Sequence, residues 1–397
     1  MLAGRCTDWA AMIKEIRLPT SRRSTQPAMQ RIATNRGLWS LARVAALAAG
    51  LAMGGQSLAQ VNSLPAGLIK QAGAVDAGGE GQIQQFAKTP LEQLGGEDPD
   101  AIRRGRSTLL DNVSPQTGPS VSFRLAYAKV LVPELEKLMA KGEMAQVNAL
   151  MVAGELGADS SLRLLEQGRK STLASVRFSA AQAAERAIVI YRQGQAVNAT
   201  ALSERAVKDL LAAQGTVLKT ESDHLVADKA MSVLTAAVSV NSLREDAIKQ
   251  LDEGLAELVK KHAGKALPEP VLEGMARTAA ELRQALLAVG GGNAMPQAVS
   301  TGSAGVAVSI ACANISSIKA KAVAVGAAGD GIRTHIGAAA GAAESLGNFV
   351  TQNASGFGLS DKVRKGTNAD DAAFVASAQD FIKLMKDKAR VPAARCQ

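Results

Sequence analysis

The amino-acid sequence predicts an all-α protein, and three features of residues 60–397 support that prediction. No proline occurs from Glu134 to Leu267, a stretch far too long to be a loop. Within it, apolar residues recur at intervals of three and four, which places them on one face of a helix. Runs typical of β-strands are scarce.

The N-terminal 59 residues predict an export signal. Basic residues precede the ten-residue apolar stretch VAALAAGLAM (44–53), and the small residues Ser57 and Ala59 follow at the positions that a signal peptidase inspects. The stretch is about half as long as a bilayer span requires. We therefore expect cleavage after Ala59 and a periplasmic or secreted protein. A start at Met29 would give the signal a basic region of ordinary length.

The net charge of +9 belongs mostly to this segment. Residues 1–59 hold eight of the 45 basic and two of the 36 acidic side chains, which leaves 37 against 34, or +3, for residues 60–397. Both tryptophans, Trp9 and Trp39, also fall in the signal. A nearly balanced chain with nine Phe and Tyr residues argues against nucleic-acid and carbohydrate binding.

Residues 60–120 predict short helices separated by Gly/Pro-rich breaks. One helix start is explicit, in GEDPDAIRRGR (96–106). Asp98 can cap the free amides, Pro99 suits the first helical position, and Asp100 complements the helix dipole.

Residues 121–290 predict a helical-repeat region. Glycines recur where helix C-caps would lie, at 142, 157, 168, 194, 215 and 264. Three apolar stripes share the helical spacing: Leu173, Val176, Ala180, Ala184, Ala187 and Tyr191; Leu243, Ala247, Leu251, Leu255 and Leu258; and Leu272, Met275, Ala279, Leu282 and Leu286.

The segment DPDAIRRGR resembles the recurring helix start of HEAT-like repeats, an Asp-Pro turn followed by a hydrophobic-Arg pair. SVRFSAAQAAERAI (175–188), VNALMVAGELGADSSLRLLEQG (147–168) and VADKAMSVLTAAV (226–238) are similar. The resemblance covers about residues 96–290. It implies stacked antiparallel helix pairs forming an α-solenoid, with a partner-holding role. An irregular helical bundle is the alternative fold.

Residues 291–397 predict an Ala/Gly-rich helical C-terminal region. The stretch 284–318 carries no charge, but its Gly, Ser and Asn content makes it too broken for a bilayer span. We expect helix there, with some strand in VAVSIACA (306–313) as the alternative. A final amphipathic helix is expected at 370–388, with Phe374, Ala378, Phe381 and Met385 on its apolar face.

Removal of the signal takes Cys6 and leaves two cysteines, Cys312 and Cys396. In an oxidising compartment these two can form one disulfide. A buried thiol at Cys312 with a free Cys396 is the alternative.

One polar cluster is a candidate ligand site. GDGIRTHIG (329–337) holds an acid, a cation, a hydroxyl and an imidazole, the groups that a small anionic ligand or acid–base chemistry would use: Asp330, Arg333, Thr334 and His335. In the alternative, Asp330 caps a helix beginning at Ile332, and Arg333 and His335 lie on its exposed side.

The sequence predicts neither a metal site nor a cofactor. No two of the three histidines have metal-ligand spacing. His224 lies among acidic residues, which a helix cap at Ser222 or Asp223 would explain. His262 suits a helix C-terminus. Nucleophile-elbow, Walker, HExxH and CxxC motifs are absent, so we expect no enzyme activity.

These observations predict an exported, non-catalytic helical-repeat scaffold that binds a protein partner in the bacterial envelope. The first alternative is a small-ligand-binding protein or enzyme that uses the Asp330–His335 turn. The second alternative is a structural protein that self-associates through the uncharged 284–318 surface.

Overall fold

The computed structural model describes residues 63–197, 199–288, 295–320, 327–365 and 368–392. The predicted signal, its cleavage site, the start at Met29 and Cys396 lie outside these residues. The described residues belong to one compact unit.

The described residues are folded into fifteen helices. They are α1 Ala66–Ile69, α2 Ala77–Leu94, α3 Pro99–Asp111, α4 Val121–Met139, α5 Glu143–Leu156, α6 Asp159–Arg169, α7 Ala174–Ala196, α8 Glu204–Thr220, α9 His224–Val238, α10 Arg244–Lys261, α11 Glu269–Ala288, α12 Gln297–Lys319, α13 Ala327–Thr351, α14 Leu359–Lys365 and α15 Asn368–Ala389. Within this part of the chain no strand forms, and the β-type pairing is a single bridge between Ala158 and Ala201.

The helices stack in two layers with solenoid-like connectivity. Layer A contains α2, α4, α6, α8, α10 and α12, and each of these helices packs against the next one named. Layer B contains α3, α5, α7, α9, α11 and α13 in the same manner, and α14 and α15 close the end on α13 and α12. The all-α, stacked-pair fold predicted from the sequence is therefore confirmed. The stacking continues beyond α11, because α10 packs on α12 and α11 packs on α13.

Cross-helix contacts show that neighbours within a layer run in the same direction. Glu143 and Ser175, near the starts of α5 and α7, are hydrogen-bonded across 32 residues. Glu155 and Arg186, further along the same helices, are bonded across 31 residues. Because the sequence separation stays constant, α5 and α7 are parallel, and each connecting helix of the other layer returns the chain.

The sequence features that predicted individual helices are largely confirmed. Asp98 accepts a hydrogen bond from the Asp100 amide at 3.0 Å, and Pro99 is the first residue of α3. The three predicted apolar stripes are buried, except at Leu173, which is the 39% exposed N-cap of α7. The four residues predicted for the last helix are fully buried on α15.

Of the six glycines predicted to lie at helix C-caps, two end helices and four do not. Gly157 is the left-handed C-cap of α5 (φ 62°), and Gly264 (φ 73°) follows the end of α10. Gly142 instead precedes α5 as its N-cap. Gly168, Gly194 and Gly215 lie inside helices. An added Cβ at each of them would come within 3 Å of atoms in a neighbouring segment. These three glycines permit close packing and do not end helices.

Residues 306–313 are helical, so the strand alternative is wrong. They lie in α12, a continuous helix packed against α10, α13 and α15. Among the described residues, α12 is the one helix long and apolar enough to cross a membrane, with a mean hydropathy of 1.4, but 78% of its most apolar window is buried in the fold. α12 therefore packs as a core helix of the stack.

Candidate functional site

The predicted turn at 329–337 is helical. α13 begins at Ala327, so the Gly-Asp-Gly sequence lies within a helix, and the side chain of Asp330 is outside the described residues. Arg333 is buried, contrary to the expectation of an exposed side. Its guanidinium donates to both carboxylate oxygens of Asp371 at 2.8 and 3.1 Å and to the Val363 carbonyl at 3.3 Å. Arg333 thus ties α13 to α15 and the end of α14.

His335 turns in another direction, towards α11. Its Nε2 contacts Glu269 Oε1, and its Nδ1 lies 3.3 Å from Glu273 Oε1. The two glutamates are one turn apart on the first turns of α11. We name these three residues the His335 cluster. The structure therefore separates Arg333 from His335, while Thr334 is exposed.

The sequence prediction missed Glu269 and Glu273. They lie more than 60 residues before His335, and only the packing of α11 on α13 brings the three together. The available signal was two carboxylates at i, i+4, which place them on one helix face. That spacing is common on exposed helices, so it does not single out a site.

The cluster ends a ladder of ion pairs along layer B. In each of the layer B helices α7, α9 and α11, a basic residue pairs with an acidic residue of the preceding layer B helix. In α7 and α9, the acidic residue next to that base in the sequence pairs with the following layer B helix. The pairs are Arg186 with Glu155, Lys229 with Glu185, Arg277 with Asp228, and His335 with Glu269 and Glu273. Most of these side chains are partly buried, so water screens the pairs less than fully exposed ones.

Negative charge accumulates where the ladder meets the cluster. Burial raises the pKa of the Asp228 carboxyl above its usual range, and the nearby charge of Glu273 adds to the rise against the pull of Arg277. Arg277 is engaged by Asp228. Within the described part of the chain, neither Glu269 nor Glu273 pairs with a lysine or arginine, so His335 is their one side-chain counter-group.

A groove of about 1050 Å³ lies between α2 and α4 in layer A. Its apolar lining comes from Leu91, Val130, Pro133 and Leu138. Charged side chains of both signs stand around it: Glu80, Lys88, Glu92, Lys129, Glu134, Lys137 and Lys141. The groove therefore combines apolar side chains with charged side chains of both signs.

A cleft of about 590 Å³ lies between the ends of α11 and α13. The Arg283 guanidinium lies over the Phe349 ring at 5.9 Å from its centroid. Its Nε is buried and has no hydrogen-bond partner among the described residues. The amide side chains of Asn348 and Asn353 also line the cleft.

The remaining candidate residues have structural positions. Asp223 caps α9 by accepting from the Leu225 and Val226 amides, which explains the acidic surroundings of His224. His262 is the C-cap of α10, and burial and two nearby lysines lower its pKa. Cys312 is buried and disulfide-bonded. Its predicted partner Cys396 lies outside the described residues.

No protein-family model matches the sequence, and no curated protein matches it.

Proposed function

We propose that this protein is an exported, non-catalytic scaffold of HEAT-like helical repeats that binds a partner protein in the bacterial envelope. The α2–α4 groove is the observation that carries the proposal. Stacked helix pairs leave extended surfaces for partners, and this groove of about 1050 Å³ is a concave surface of that kind.

The groove's chemistry specifies the partner segment. Its apolar lining fits the hydrophobic face of an amphipathic helix, which inserts side chains at i, i+3, i+4 and i+7. Two of the edge lysines are already paired, Lys129 with Glu80 and Lys137 with Glu134. Lys88, Glu92 and Lys141 form no ion pair among the described residues and remain to contact opposite charges on the partner. A mixed-charge amphipathic helix is therefore the expected ligand.

Export rests on the N-terminal signal pattern. Fractionation followed by N-terminal sequencing of the mature protein tests it directly. We expect a periplasmic protein beginning at Gln60. Recovery of an uncleaved chain in the cytoplasm would refute the proposed location.

The partner proposal is tested by affinity capture from an envelope extract with three proteins. The wild type should retain a defined partner, and the groove variant Lys88→Glu/Val130→Glu should lose it. The control Leu225→Glu alters an exposed leucine at the start of α9 and should retain it. Equal retention by both variants, or measurable substrate turnover by a protein that captures nothing, would refute the proposal.

A small-ligand-binding protein is the second candidate. The Asp330–His335 segment suggested it, and the Arg283 cleft now favours this class, since an arginine that lines a cleft can bind a carboxylate ligand. Thermal stabilisation by mono- and dicarboxylates that is lost in Arg283→Gln and kept in Arg333→Gln would support it. Equal thermal stabilisation of the two variants would exclude the cleft as the ligand-binding site.

A further inference from the structure

The Glu269 and Glu273 carboxylates and the His335 imidazole form a donor set for a metal ion. One ligand atom from each of the three residues lies within 4.8 Å of the other two. Zinc binds nitrogen and carboxylate ligands at about 2.0–2.2 Å, so ligand atoms around it stand about 3 Å apart. Small side-chain rotations suffice to reach that spacing, since Glu269 and Glu273 are more than half exposed.

The positions of the ligands are held by the fold and not by the side chains alone. The two carboxylates project from successive turns of α11, and the imidazole comes from α13, which packs extensively on α11. The His335 side chain is 21% exposed and is flanked along α13 by buried Ile336 and Ala339. A mostly buried imidazole therefore faces two exposed carboxylates, and solvent can supply the remaining ligands.

The orientation of the imidazole also suits a shared ion. Its Nε2 lies against Glu269 Oε1, and its Nδ1 lies 3.3 Å from Glu273 Oε1. The ring therefore already lies between the two carboxylates, and one of its nitrogens can coordinate a metal ion together with them.

We propose that Glu269, Glu273 and His335 bind a divalent transition-metal ion of the Zn²⁺ class and so join α11 to α13. An imidazole nitrogen with two carboxylates selects zinc-like ions, whereas Ca²⁺ and Mg²⁺ prefer oxygen ligands alone. The site is independent of the α2–α4 groove and of any partner. It adds a metal cross-link near the C-terminal end of layer B.

Zinc binding by the purified full-length protein tests the proposal. After treatment with EDTA and gel filtration, ZnCl₂ is titrated by calorimetry, and retained zinc is measured by elemental analysis. We expect one bound zinc per chain and a rise in Tm. His335→Ala and Glu269→Gln/Glu273→Gln should each weaken binding by more than about tenfold. Calcium and magnesium at tenfold excess should not displace the zinc.

His224→Ala is the matched control, because His224 is an exposed histidine at the start of another layer B helix. It should bind zinc as the wild type does. His335→Ala could fail to fold, which circular dichroism would show. In that case the Glu269→Gln/Glu273→Gln variant tests the proposal, because it alters exposed carboxylates only. The proposal is overturned if no zinc is retained, if the cluster variants bind as tightly as the wild type, or if calcium competes equally.

Discussion

Arg177 on α7 and Glu221 at the end of α8 form a bidentate ion pair. Arg177 Nε lies 2.7 Å from Glu221 Oε2, and Nη2 lies 2.9 Å from Oε1. The Glu221 side chain is 7% exposed and also accepts from the backbone amides of Ser222 and Asp223. The pair therefore fixes the turn before α9 against the first turn of α7.

Removing Arg177 should be costly, because it leaves the Glu221 carboxylate nearly buried without its partner. We expect Arg177→Ala to lower the free energy of unfolding by about 2–3 kcal/mol, measured by urea denaturation. Arg163→Ala is the control, since the Arg163–Glu136 pair is exposed and should lose less than about 1 kcal/mol. Similar losses in the two variants would show that the Arg177 pair does not stabilise the stack specially.

Glu221 also predicts a pH dependence. Burial would raise the pKa of its carboxyl, but hydrogen bonds from Arg177 and two backbone amides outweigh burial and hold it below the usual 4.5. Between the lowered pKa and 4.5 the unfolded chain binds more protons than the folded chain, so stability falls as pH falls. Glu221→Gln should therefore be less stable than the wild type at pH 6, and the gap should narrow below pH 4.5 in urea titrations. A constant gap would contradict the assignment.

Two glycines should respond oppositely to alanine. A Cβ on Gly154 of α5 would lie 2.7 Å from the backbone of Ala183 on α7, whereas Gly81 of α2 faces open space. We expect Gly154→Ala to destabilise by about 1–3 kcal/mol through overpacking, despite the better helix propensity of alanine. Gly81→Ala should stabilise by about 0.5–1 kcal/mol. Thermal unfolding of both variants measures the difference, and a gain at Gly154 would mean that α5 and α7 are less closely packed.

Asn314 is a fully buried polar residue on α12 whose side-chain nitrogen and oxygen have no partner among the described residues. Leucine has the same number of side-chain heavy atoms and nothing to hydrogen-bond. Asn314→Leu should raise stability by about 1–2 kcal/mol in chemical denaturation, since an unsatisfied buried amide is costly.

Ser317 on the same helix provides the contrast. Its hydroxyl donates to the Ala313 carbonyl at 3.0 Å and accepts from the Leu267 amide at 3.3 Å. Ser317→Ala should therefore destabilise. If Asn314→Leu destabilises as well, Asn314 has a polar partner, such as a buried water.

The disulfide of Cys312 is predicted to join Cys396. Peptide mapping of the mature protein without reductant should recover the cross-linked pair, and reduction should lower the Tm. The chain-entropy estimate for so long a loop is about 3–5 kcal/mol. Recovery of free Cys396, or of Cys312 joined to Cys6, would contradict the assignment.

Local signals predicted the fold well because they act over a few residues. Asp98 and Pro99 began a helix where expected, since capping depends only on neighbouring amides. The stripe from Val176 to Tyr191 is buried because any stacked helix buries its apolar face. Gly168 was misassigned because sequence spacing alone cannot distinguish a helix end from a close helix contact.

The side-chain clusters could not be predicted for a related reason. Arg333 and His335 are two residues apart on α13, so their side chains project in different directions. Asp371 and Glu273 come from different helices on either side, and only the order of stacking determines which helix each side chain meets. Such information lies in the tertiary packing and not in any short segment.

The ladder of ion pairs in layer B also bears on how the number of helix pairs in the stack can change. At each ion pair of the ladder, the earlier layer B helix supplies the acidic residue and the later one supplies the basic residue. If α8 and α9 were deleted together, Glu185 would meet Arg277, and the charges would still match. These ion pairs determine the order in which the helices stack but not how many helix pairs the stack contains. Whole helix pairs could therefore be duplicated or deleted without requiring a new kind of ion pair.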